Sequence, residues 1–171
     1  MPAEYLPLHE QLTYTDGHCE TFSVALLERY GPALRAVELI VTDPRYAERL
    51  DYPADSSIAV HVFCLDSAGM AIDAEGRRTV KELMKGFGIG AGYRHEIADK
   101  LPAAEQSDGE WDALTHARAL LDSHGWPDQM EQIPMADGRL GRNFRRARQE
   151  QEAAMARRTA KHALDEDPLQ P

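Results

Sequence analysis

The sequence predicts an α+β fold, and three features carry that reading: an apolar helical segment at 19–30 that opens on a cysteine, an alternating apolar strand at 58–66, and a short turn that folds this strand onto a second one at 70–74. In CETFSVALLERY, Phe22, Ala25, Leu26 and Arg29 recur at helical spacing, Val24 and Leu27 widen the apolar side, and Gly31-Pro32 ends the run. Cys19 thus falls in the first turn of a buried helix. Asp16 and Gly17 suit the turn that enters it, leaving backbone N–H groups near Cys19 free to face a ligand.

The remaining elements follow in order. AVELIVTD at 36–43 is β-branched and apolar enough for a strand, whereas DPRYAERLDYPAD at 43–55 has the proline, aspartate and aromatic mixture of a connecting loop. In IAVHVFCLD, Ile58, Val60, Val62 and Cys64 are expected on one face and Ala59, His61, Phe63 and Leu65 on the other. Ser67-Ala68-Gly69 turns into MAIDA, closing a hairpin. Helical patterning returns at 79–87 and in WDALTHARALLDSHGW, where Trp111, Leu114, Ala117, Leu120 and Leu121 form a stripe; between them, GFGIGAGY at 86–93 reads as a flexible loop and YRHEIA at 93–98 as a further strand. A long, polar, Ala- and Arg-rich helix at 142–164 has little apolar face and is either docked through charge or projecting, and DEDPLQP after it reads as a frayed end. The chain divides into an α+β domain at 1–138 and, at 139–171, a basic helix with an acidic tail.

A length of 171 residues fits one domain with one active site. The net charge of −10 argues against a whole-surface nucleic-acid binder, because a phosphate backbone repels an acidic body. The exception is local: residues 139–161 hold eight Arg and Lys side chains against only Glu150 and Glu152, the one place where nucleic acid or an acidic partner would fit. Two cysteines cannot build a disulfide framework, no run is apolar enough to span a bilayer, and the N-terminus does not read as a signal peptide. The expectation is a chain of a reducing compartment, the cytoplasm (a bacterial or host cytosol), that does not enter membranes.

A cysteine nucleophile needs a base, an orienter for that base, and donors for the oxyanion. Cys19 at a helix start would feel the positive end of the helix dipole, which lowers a thiol pKa. His61 sits mid-strand, and pairing about the Ser67-Ala68-Gly69 turn brings it roughly against Ile72 and Asp73. Asp73 accepting from one ring nitrogen would leave the other for Cys19.

DGHCETFSVALLERYG followed by IAVHVFCLDSAGMAIDAEGRR resembles the small papain-like proteins of bacteria and their phages: a G-x-C at a helix start, an apolar strand with a central His, a short turn, and an Asp after apolar residues. The resemblance covers residues 17–78. It implies a papain-like core, the helix of Cys19 packed on a small antiparallel sheet, with Cys19 as nucleophile, His61 as general base and Asp73 as orienter. The implied activity is that of papain-like peptidases, glutamine deamidases and related amidases, on a protein or peptide substrate and with no metal or organic cofactor. Gly17, His18, Gln11 and Tyr14 are the cleft candidates, the last two in the region where peptidases of this type carry an oxyanion-hole Gln.

Other readings stand beside this one. A cysteine on a helix, a histidine in a strand and an aspartate after one are each common as structural residues. His18 with Cys64 or His61 lacks zinc-site spacing, and the glycines at 86–92 follow a helical segment instead of the strand that a dinucleotide loop requires. Cys64, Trp111 and Trp126 read as packing. The rival class is a non-catalytic acidic binding protein on the same scaffold, such as a phage or plasmid inhibitor or adaptor; a structural component self-associating through 142–164 is a third. Substrate and oligomeric state are not encoded in any of these features.

Overall fold

A computed structural model describes residues 4–104 and 111–165. Helices α1 (Leu8–Thr15) and α2 (Cys19–Tyr30) lead into strand β1 (Leu34–Val41), and a short helix α3 (Pro44–Arg49) precedes β2 (Ile58–Asp66). Then come β3 (Met70–Asp73), β4 (Gly76–Thr79), α4 (Val80–Gly86), β5 (His95–Asp99), α5 (Ala113–Ser123), α6 (Arg139–Arg142) and α7 (Phe144–Asp165). Among the described residues this is an α+β arrangement of seven helices and one antiparallel sheet in the order β4-β3-β2-β1-β5.

The sheet is buried on both faces. On one, Phe22, Ala25 and Leu26 of α2 meet Leu34, Ala36, Cys64 and Ile72, and α5 adds Ala117, Leu120 and Leu121. On the other, Val37, Leu39, Val41, Phe63, Leu65 and Ala71 pack under Tyr46 of α3, Leu83 of α4 and Ile89. This explains the continuous apolar character of β1, since a strand covered on both faces loses its polar alternation.

Four local features depart from the sequence expectations. The segment at 43–55 opens as helix α3, because Asp43 caps it by accepting from the Arg45 N–H at 3.1 Å and Pro44 supplies a first-turn φ. Helix α1 carries Glu10, Gln11 and Thr13 on buried positions, so it lacks the apolar stripe that would announce it. Strand β4, GRRT, has no alternation of its own; pairing with β3 and bonds from the Arg77 backbone to Pro134 and Ala136 make it a strand. The strict alternation of β2 fails at a bulge: Leu39 pairs with His61 but Ile40 with Ala59, so Val60 is extra, and Ile58 and Val60 join Phe63 and Leu65 on the same side.

The hairpin register falls where the turn sets it. Cys64 pairs with Ile72 and Leu65 with Ala71, so continuation places Asp73 opposite Phe63 and makes His61 its diagonal neighbour on the same face. Asp66 holds the turn, accepting from the N–H groups of Ala68 and Met70 at 2.9 Å with one oxygen and from Arg77 at 2.7 Å with the other.

The basic helix α7 is docked on α1. Leu12, Leu140 and Ala147 make a small apolar contact, and the rest is polar: Arg158 to Glu10 at 2.5 Å, Arg148 to Asp16 at 2.9 Å and Gln151 to Thr13 at 3.1 Å. The tail after residue 165, expected to be frayed, lies outside the described residues.

Gly76 holds the β3–β4 turn at φ +117°, and a Cβ there would collide with the carbonyl oxygen of Pro134. Gly76→Ala is therefore expected to destabilise the protein by about 2 kcal/mol or more, from backbone strain of about 1–3 kcal/mol plus the forced opening of the 134–136 contact. Urea denaturation against the parent checks this; an unchanged midpoint would mean the segment yields freely.

Candidate active site

Cys19 occupies the first position of α2, where backbone N–H groups have no partner within the helix. Gly17, at φ +118°, makes the reversal that lets α1 run straight into it. Strand β3 pairs with β2 only at Cys64 and Leu65, so the earlier half of β2 is open on that edge among the described residues. There the N–H of Val62 reaches the Cys19 sulfur, joined by the N–H of Glu20.

His61 is wholly buried, with its ring 4.8 Å from that of Phe87 and stacked at 11° on Phe63. Its Nε2–H donates to Asp73 Oδ2 at 3.0 Å. Nδ1 has no hydrogen-bond partner among the described residues; it is the ring nitrogen that Asp73 leaves unused, and the nearby Cys19 thiol favours the protonated ring. Asp73 is itself held on both oxygens: Oδ1 accepts the Glu75 N–H at 3.0 Å, and Oδ2 also accepts from Arg78 at 2.6 Å.

The electrostatics follow from these contacts. Burial pushes the Cys19 thiol up, but the hydrogen bond and charge of His61, with the two backbone N–H groups, bring it below the ordinary thiol value. Burial likewise disfavours protonated His61, yet Asp73 and Cys19 raise it to about 9. Asp73 stays below the usual carboxylate range despite its burial, because the Arg78 charge and the His61 hydrogen bond outweigh desolvation. The combination favours a thiolate beside an imidazolium. Lys100 lies 3.1 Å from both Glu20 and Glu38, which offsets the negative charge next to Cys19.

A groove of about 1100 Å³ runs along the His61 flank, between Tyr46, Val60 and Phe87 on one side and Leu12, Leu140 and Phe144 on the other. Glu75 and Arg78 line it, as do Thr15 and Asp16 just before the Gly17 turn; none of Cys19, His61 and Asp73 is among its lining residues. Of the cleft candidates, His18 caps α2 and packs edge-on against Trp111 at 5.1 Å. Gln11 and Tyr14 do not line the cleft. The Gln11 amide is buried and donates to Leu6 O at 2.8 Å, and the Tyr14 hydroxyl donates to Ala113 O at 2.8 Å inside the core. Trp126 is core, as read from the sequence. No three His, Cys, Asp or Glu side chains among the described residues are grouped to hold a metal ion.

Sequence reasoning missed Val62, Phe87, Glu75 and Arg78. Arg78 carried a signal in hindsight of the pairing alone: once β4 returns along β3, Arg78 stands opposite Ala71, within side-chain reach of Asp73. No family model matches the chain, and no curated protein and no solved structure matches it either.

Iodoacetamide is expected to modify Cys19 below pH 8, while Cys64, pushed up to about 12 by burial, stays unmodified in the folded protein. Peptide mass spectrometry across pH 5–10 separates the two sites, and equal reactivity of both would contradict the polarised thiol.

Proposed function

We propose that this protein is a cysteine-dependent amide hydrolase or acyl-transferase on a papain-like core. The observation that carries the reading is the convergence of Cys19, His61 and Asp73, from a helix start and two strands, with a lowered thiol and a raised imidazole. The order of helix, His strand and Asp strand on an antiparallel sheet suits a papain-like core. Three chemically matched residues meeting by chance in a buried setting is a weaker account than selection for their chemistry.

In this mechanism the Cys19 thiolate adds to the amide carbonyl carbon, and the oxygen takes the negative charge beside the Cys19 N–H at the start of α2. As the tetrahedral species collapses, the C–N bond breaks and His61 gives its Nδ1 proton to the leaving nitrogen. The resulting thioester on Cys19 is attacked by water, or by an amine, whose proton returns to His61. Asp73 holds the ring so that Nδ1 keeps facing the sulfur throughout. The substrate in this reading is a peptide or a glutamine side chain within one, as in the papain-like proteins that the sequence resembles.

p-Nitrophenyl acetate tests the acyl chemistry without a known substrate. A burst of one nitrophenolate per chain is expected, with an acetyl mass on the Cys19 peptide. Cys19→Ala abolishes the burst, and His61→Ala slows it by about 10²–10⁴-fold. A folded parent that shows no burst and no acetyl-Cys19 would favour the acidic binding protein. With glutaminyl peptides, ammonia release against new N-termini then divides deamidation from proteolysis.

A further inference from the structure

Arg78 is 5% exposed and sits on β4 at the edge of the groove, where little solvent reaches its charge. A guanidinium is expensive to bury and is retained only where several acceptors face it. Here the acceptors belong to the candidate site. Nη2 donates to Asp73 Oδ2 at 2.6 Å, the same oxygen that takes the His61 bond, and Nη1 lies 2.8 Å from Glu75 Oε1. The Glu75 N–H closes the loop on the other Asp73 oxygen. The carboxylate is thereby fixed at three points, and one of the three sets where the imidazole can lie.

We propose that Arg78 is a positioning residue of the Cys19–His61–Asp73 site, fixing the orientation and the negative charge of Asp73 so that His61 remains protonated and aimed at Cys19 in mild acid. This rests on the reading of those three residues as a catalytic triad and adds a fourth, non-reacting member to it.

The charges around Asp73 show why the cation is needed. His61 and Cys64 face it from β2, Glu75 from the turn and Arg78 from β4; Cys64 is uncharged. Arg78 in turn faces Asp73, Glu75 and, from α4, Glu82. Without the guanidinium, two buried carboxylates share one imidazolium; Glu75, raised by burial and by the charge of Asp73, takes up a proton first as the pH falls, and Asp73, stripped of its cation, follows at a higher pH than in the parent. A protonated Asp73 no longer holds His61 as the cation, and Cys19 loses the partner that keeps it ionised. At high pH the thiol ionises unaided, so the loss is confined to the acid side.

The test is the rate of Cys19 carbamidomethylation by iodoacetamide from pH 4.5 to 9.5 in the parent, Arg78→Met and Arg78→Lys, with near-ultraviolet circular dichroism confirming the fold of each. Arg78→Met is expected to react at least tenfold more slowly than the parent at pH 5 and at the parent rate at pH 9.5, with the lysine variant recovering part of the acid limb. Should Arg78→Met not fold, Arg78→Gln, which keeps an N–H donor without the charge, reads the same limb. A neutral variant that is folded and follows the parent profile throughout overturns the proposal, as does a loss of equal size at every pH, the mark of a purely structural role. A parent with no Cys19 reactivity below pH 8 overturns the triad reading itself, and is told apart because its own curve already lacks an acid limb.

Discussion

A carboxylate that keeps its charge while almost wholly buried is the constraint around which this structure is arranged. Asp73 cannot be hydrated, so every lone pair it presents has to be met by protein. The Glu75 amide, the Arg78 guanidinium and the His61 ring meet them. Each of those partners imposes a further requirement: Glu75 and Arg78 need the tight β3–β4 turn, the turn needs Gly76, and Gly76 needs the close passage of Pro134. The tail end of the α+β body is thus tied to the candidate site by the needs of one side chain.

The thiol is brought to this cluster by a different device. Strand β3 is short, which leaves the first half of β2 without a strand partner on one edge among the described residues, and the start of α2 comes up beside it. An unpaired strand edge is ordinarily a liability, because its N–H groups invite another chain. Here the Val62 N–H faces the Cys19 thiol and favours its ionised form, so the feature that would be a defect elsewhere helps to lower the thiol.

How much of this was legible in the sequence varied with the kind of signal. Helix α2, strand β2 and the hairpin were legible because burial writes apolar periodicity directly, and the nearness of His61 to Asp73 followed from them because a turn of fixed length sets the register. The bulge at Val60 was not, since an extra residue leaves the composition unchanged and only reverses which side Ile58 and Val60 take. Helix α1 and strand β4 were hidden by polar residues whose burial depends on distant partners, such as Glu10 on Arg158 and Arg78 on Asp73. Gln11 was drawn toward the cleft by its position before Cys19, but its amide is used up on the Leu6 carbonyl. Local pattern reads the elements well and the long-range polar partnerships poorly, because the latter have no fixed spacing.

Helix α7 is attached to α1 by ion pairs and by a small apolar cluster of Leu8, Leu12, Leu140 and Ala147, whereas the sheet beneath is sealed on both faces by large apolar side chains. Exposed or half-exposed ion pairs weaken with ionic strength and contribute little each, while apolar burial does not weaken with salt. The two parts therefore belong to different cooperative units, with the helix opening at a lower free energy than the sheet. Because Leu140 of α6 and Phe144 of α7 line the groove that Glu75 and Arg78 also line, its width depends on how firmly this helix is held and so on the surrounding electrolyte.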